Sequence, residues 1–154
     1  MANAATANKN KKILTAVIAI AFVALLVLLI VFLSQKNGFV REEGEVYYYE
    51  NGEMQVGWQI IDNERYYFDA DGKMHRGWLV WEKDAFYFRQ GKGGNDIGGT
   101  LLINTQAVLQ DLDGVYWYVE FGANGKVTLA TLDVEWYNKQ GLELPTATEP
   151  NFGK

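Results

Sequence analysis

Few residues in this 154-residue chain are equipped to make or break bonds. It holds no cysteine, so a thiolate nucleophile, a thiolate metal site and a disulfide framework are all excluded. Its one histidine, His75, has no serine to activate, because Ser34 lies at the edge of an apolar run. Glu120, Asp133 and Glu135 could serve as an acid and a base, but an acidic chain offers such pairs everywhere and nothing selects these. Residues 69–72 (DADG) lack the spaced oxygens of a calcium loop and read as a turn. The glycine-rich stretch 90–99 leads to no lysine–hydroxyl pair that could cradle a phosphate. The expectation is a chain that is not an enzyme, with no cofactor and no metal. What remains is aromatic: 14% of the residues are Phe, Trp or Tyr, and they recur.

The recurrence is a repeat. YYYENGEMQVGW at 47–58 and YYFDADGKMHRGW at 66–78 match with Tyr47 over Tyr67, Gly52 over Gly72, Met54 over Met74 and Trp58 over Trp78. A fixed period near twenty residues marks units that bury their apolar faces against one another. Strands are expected at 45–49, 54–61, 65–69, 79–81 and 85–89, with turns at Asn51-Gly52, at 70–72 and at 82–84. Beyond Phe88 the pattern loosens. Gly99-Thr100 arrives late where the next Gly-Trp should stand, and 101–129 reads as a degenerate unit closing the stack, with a last strand expected over 131–137. For most of these strand aromatics the plain role is core packing, which leaves the two Gly-Trp tryptophans as the exposed candidates.

Two further segments frame the repeats. Residues 13–33 are 21 apolar residues with one hydroxyl and no charge. At about 1.5 Å per residue that length matches the hydrocarbon core of a bilayer. The run exceeds the apolar region of a cleavable signal and places Phe32 where a cleavage site requires a small residue, so an uncleaved anchor is expected. Lys9, Lys11 and Lys12 precede it, against Lys36 and Arg41 after it, which puts the N-terminus in the cytoplasm and the rest outside. Past residue 33 there are 11 basic and 19 acidic residues, a balance of −8 that excludes nucleic acid as a partner.

The segments at 47–58 and 66–78 resemble the cell-wall-binding repeats of Gram-positive surface proteins, the family of choline-binding and glucan-binding repeats. The resemblance covers 46–88 well and 101–129 poorly. It implies a β-hairpin solenoid that binds cell-wall polysaccharide, teichoic acid or glucan. In the choline-binding branch, Gly-Trp tryptophans and a strand aromatic form a cage between successive hairpins. Carried over, the cage is Trp58, Tyr67 and Trp78, with Tyr66 in place of Tyr67 if the strand faces the other way. A second partial site would use Trp78, Tyr87 and Trp81. Aromatic faces attract a quaternary ammonium by about 0.5–2 kcal/mol per ring, and sugar rings stack on them as well. The family usually carries a tryptophan just before its aromatic pair, where this chain has Arg65 and Ala85. A cation at Arg65 opposes a choline group, which favours a glycan.

The sequence therefore predicts an all-β protein, a β-hairpin repeat solenoid following one N-terminal transmembrane helix. Its divisions are a cytoplasmic tail at 1–12, the helix at 13–33, a linker at 34–44, the repeat module at 45–140 and an unpaired tail at 141–154. The leading function is a membrane-anchored, extracellular module that binds surface polymer. The alternative is a docking subunit that uses the repeats to hold a protein partner in a membrane complex.

Overall fold

The computed structural model describes residues 2–33 and 35–153. Two units divide the chain: residues up to Gly38 with Tyr49–Glu53, and Phe39–Tyr48 with everything from Met54 onward. The first is built on the helix α1 (Ala2–Leu33), apolar all round from residue 13 and exposed along that length. Within α1, Asn8–Leu33 contains an 18-residue window of mean hydropathy 3.5 and is long and apolar enough to cross a membrane. In the same unit the Gly52 N–H donates to the Lys36 carbonyl (3.1 Å), and the Lys36 ammonium lies 5.0 Å from the Tyr49 ring centre.

The rest is β, as the alternation of aromatic and polar residues requires. Its strands are β1 (Gly38–Glu42), β2 (Glu45–Glu50), β3 (Glu53–Met54), β4 (Gly57–Ile61), β5 (Glu64–Phe68), β6 (Gly77–Trp81), β7 (Asp84–Phe88), β8 (Thr105–Gln110), β9 (Tyr116–Phe121) and β10 (Val127–Leu132). A short helix, α2 (Val134–Gln140), follows. β4 pairs with β5 and β6 with β7 as two-stranded hairpins, and β8, β9 and β10 form a three-stranded antiparallel sheet with β9 in the middle. Asp62 and Asn63 join β4 to β5 with φ of 52° and 66°, the left-handed pair that suits the twist of a two-residue hairpin.

A two-stranded hairpin is marginal alone in water, so each must lean on the next. The lean repeats. The Met74 N–H reaches back to the Val46 carbonyl (2.7 Å), and the Leu101 N–H to the Arg65 carbonyl (2.8 Å). Each turn glycine sits against the preceding unit's apolar residue: Gly72 on Met54, Gly99 on Met74, Gly125 on Leu101. All three have φ near 80° and no room for a Cβ, so only glycine suits the spot.

These contacts shift three expectations. The Gln55 N–H donates to Tyr48, as His75 does to Tyr67 and Leu102 to Tyr87, so Tyr48 rather than Tyr47 is the counterpart of Tyr67. The first turn is one residue shorter. Past Phe88 the repeat continues rather than decaying: Phe88 bridges Leu101 as Phe68 bridges Met74, across twelve intervening residues instead of five. Gly99 is thus a turn glycine and not a late Gly-Trp. The longer loop is braced by Arg89, whose guanidinium donates twice to Asp96 at 2.8 Å, and by Arg76, which donates to the Ile97 carbonyl. Hydrogen bonding to Arg89 holds the Asp96 carboxyl well below the usual carboxylate range.

The flanks differ from expectation too. The stretch read as a linker carries β1, and Phe39 packs on Tyr48 and Tyr66. Of the strand expected over 131–137, only Thr131 and Leu132 are extended, as the end of β10. β10 ends at Leu132 and Asp133 caps α2, its Oδ1 accepting from the Trp136 N–H at 2.9 Å. The stretch read as an unpaired tail is docked: the Asn151 N–H donates to Asp111, and the Leu112 N–H donates to the Asn151 carbonyl.

Candidate functional site

Side-chain parity along the hairpins decides which aromatics can meet. Alternate residues of a strand face opposite sides, and the register sets Trp58 opposite Tyr67 and Trp78 opposite Tyr87. Tyr66 and Phe68 lie on the other face of β5. They form the core with Val46, Ile61 and Met74, with Tyr66 only 8% exposed. Burial, with the nearby Glu64 charge adding to it, pushes the Tyr66 hydroxyl pKa upward. Tyr66 is therefore a core residue and Tyr67 the outward one.

Trp58 and Tyr67 meet edge to face at 5.4 Å. The next hairpin offers them its opposite face, the parity of Leu79, Trp81, Phe86 and Phe88. Trp58 touches Phe86 at 5.2 Å and Phe88 at 5.5 Å, and Tyr67 touches Trp81 at 5.6 Å. Each such ring pair is worth about 0.5–1.5 kcal/mol beyond area burial, so the group is held rigidly. Trp58 and Trp81 nonetheless remain 37% and 44% exposed. They flank, with Phe86 as floor, a cleft of about 300 Å³. Its polar lining is Arg65, Glu82, Asp84, Asn124 and Lys126, two cations against two carboxylates. Lys126 and Asp84 are paired at 2.5 Å.

Trp78 goes elsewhere. Its ring partners are Tyr87 (4.9 Å), Phe121 (6.3 Å) and Phe152 (3.9 Å), none of them shared with Trp58. Its indole N–H donates to the Gln110 carbonyl at 2.7 Å. The groove expected between Trp58 and Trp78 is therefore replaced by one between Trp58 and Trp81, because the two Gly-Trp residues share a parity and each faces the hairpin that follows. Trp81, expected beside Trp78 and Tyr87, joins Tyr67 instead. Phe86 and Phe88 were not among the expected site residues, although a twenty-residue step from Tyr66 and Phe68 marks them. His75 is half-buried, with Nε2 donating to the Trp78 carbonyl (2.9 Å) and its ring edge-on to Phe88. Among the described residues no cluster of His, Asp and Glu could hold a metal ion.

Residues 55–96 match the family model of the choline-binding repeat. That stretch belongs to the choline-binding repeat family. The match starts three residues before Trp58 and runs through both hairpins, so the cleft at Trp58 and Trp81 lies on choline-binding repeats. Among solved structures, the choline binding domain of Spr1274 from Streptococcus pneumoniae is 23% identical, with 62% of this chain covering 99% of that one at a TM-score of 0.44. Choline binding protein F from the same organism, solved in the presence of a peptidoglycan analogue, is 25% identical over 61% of this chain and 34% of its own, at 0.35. The endolysin of phage Cp-1 complexed with choline is 20% identical over 75% of this chain and 27% of its own, at 0.37. This chain thus spans about a third of the length of the former of these two and about a quarter of the latter. No curated protein matches it.

Proposed function

We propose that the protein is a single-pass membrane protein, with its N-terminus in the cytoplasm, that displays a β-hairpin solenoid binding a cell-wall or surface polysaccharide of the glucan or teichoic-acid type. The observation that carries this reading is the cleft in which Trp58 and Trp81 stand exposed over Tyr67 and Phe86, on repeats of the choline-binding family. Two exposed indoles held by ring contacts are a preformed stacking surface, which lowers the ordering cost of binding. The polar rim of both signs suits hydroxyl groups. Arg65 lies on that rim and opposes a quaternary ammonium, while Lys126 is taken up by Asp84, so the sugar of the polymer is the favoured ligand rather than choline.

The test is retention of the full chain, in detergent micelles, on dextran, choline and whole-wall matrices. Retention on dextran or wall, lost in the Trp58→Ala/Trp81→Ala double variant, is expected. Failure to bind any matrix, or retention unchanged in the double variant, overturns the reading. Co-purification of one stoichiometric protein partner without glycan retention would support the docking role instead.

A further inference from the structure

Trp78 and Tyr87 repeat the first site twenty residues on. They are paired in the same register as Trp58 and Tyr67, and both pairs meet edge to face, at 4.9 and 5.4 Å. The layer beyond differs. The Gly122 N–H donates to Lys126 as Arg89 does to Thr100, which makes Phe121 the counterpart of Phe88 and Val119 the counterpart of Phe86. The repeat therefore supplies Trp78 with one ring, Phe121, where Trp58 receives two. The open face of Trp78 is nonetheless covered. Phe152 lies flat on it, centroids 3.9 Å apart and planes 25° from parallel. That is the placement a flat ligand takes on an indole.

Phe152 comes from outside the repeat. Residues 142–153 form neither helix nor strand, and Asn151 ties them to the β8–β9 turn through two backbone hydrogen bonds, one to the Asp111 carboxylate and one from the Leu112 N–H. The indole N–H of Trp78 is already given to Gln110, so its ring stays oriented whether or not Phe152 is present.

We infer that Trp78, Tyr87 and Phe121 form a second aromatic site for the ligand of the Trp58–Trp81 cleft, occupied in this state by the chain's own Phe152. The inference rests on the polysaccharide reading for the ligand's class. Phe152 acts as an internal competitor: ligand must displace it, and apparent affinity there falls by the fraction of time the site is open.

The test is calorimetric titration of the full chain in micelles with isomaltotriose, and separately with choline chloride. One site per chain is expected for the native protein and for Phe152→Trp, and two for Phe152→Ala and for a chain ending at Thr148. The added site should vanish with Trp78→Ala and survive Trp58→Ala. If the native chain binds nothing while Phe152→Ala gains one site sensitive to Trp78→Ala, this inference stands and the reading of the first cleft falls. If the opened variants stay at the native stoichiometry, or no variant binds either probe, Phe152 is a wall in place of the ring missing at Val119 and the inference is overturned. Loss of the β signal in circular dichroism for both opened variants overturns it equally, since Phe152 would then be core.

Discussion

The two-stranded hairpins β4–β5 and β6–β7 and the three-stranded sheet β8–β10 stack through equivalent contacts but use aromatic residues in opposite ways. Each hairpin buries one face and hands the other to its neighbour, so indole and phenol rings lie between layers with an edge reaching water. The sheet gathers Trp117, Val119 and Phe121 into its own core, all under 5% exposed. It then covers that core with the segment bearing Phe152, while on the opposite face of β9 Trp136 of α2 stacks on Tyr116 at 3.8 Å. An aromatic set between two thin layers is available to a ligand, whereas the same residue types given a third strand and a cover become structure. Parity and layer thickness, more than residue type, separate a site from a core.

The largest expected effect falls where the hairpins depend on each other. Phe88 is fully buried beneath Trp58 and bridges to Leu101. Phe88→Ala should cost about 3–5 kcal/mol in denaturant unfolding. If the hairpins and the sheet are one cooperative stack, the whole β signal moves with it. A separate, unshifted transition for the sheet would break the stack into independent parts.

A smaller effect is expected on the sheet side. Burial alone would push the Asp111 carboxyl up. The backbone N–H groups of Asn151 and Val115, the Trp117 indole and the Asp113 N–H outweigh it and hold the carboxyl below its usual value. An unfolded aspartate titrates near about 3.9. The stabilisation from Asp111 is therefore full above that pH and drains as pH falls through the lower folded value. Asp111→Asn should cost about 1–3 kcal/mol at neutral pH and flatten the acid limb of the stability profile. An acid limb unchanged by the substitution would assign it to other carboxylates. Smallest of all, Arg89→Gln should release Asp96 and speed amide exchange at Gly98, with no change at Trp117. Slow exchange retained at Gly98 would show that Arg76 and the turn hold the loop without the ion pair.

Much of this was legible in the residues. The apolar helix, the repeat, the β class and the aromatic lining of the candidate cleft follow from composition and a period near twenty. Three features were not. A loop seven residues longer after Phe88 hid the continuity that Leu101 and Gly125 restore, because sequence spacing changes while the stacking contact does not. Trp136 and Tyr137 are β-prone, yet the Asp133 cap, Gly141 with φ of 67° and the stack on Tyr116 make them helical. The partner of Trp58 was misplaced because a repeat unit shows which residues are equivalent but not which face of a neighbour they meet.

That last point allows the most direct test. Trp81 and Val80 are neighbours on β6 and lie on opposite parities. Dextran affinity of the full chain in micelles should fall about tenfold or more in Trp81→Ala, the loss of one stacking face, and stay within twofold of native in Val80→Ala. An unchanged affinity for Trp81→Ala would contradict the cleft between Trp58 and Trp81 as the binding site.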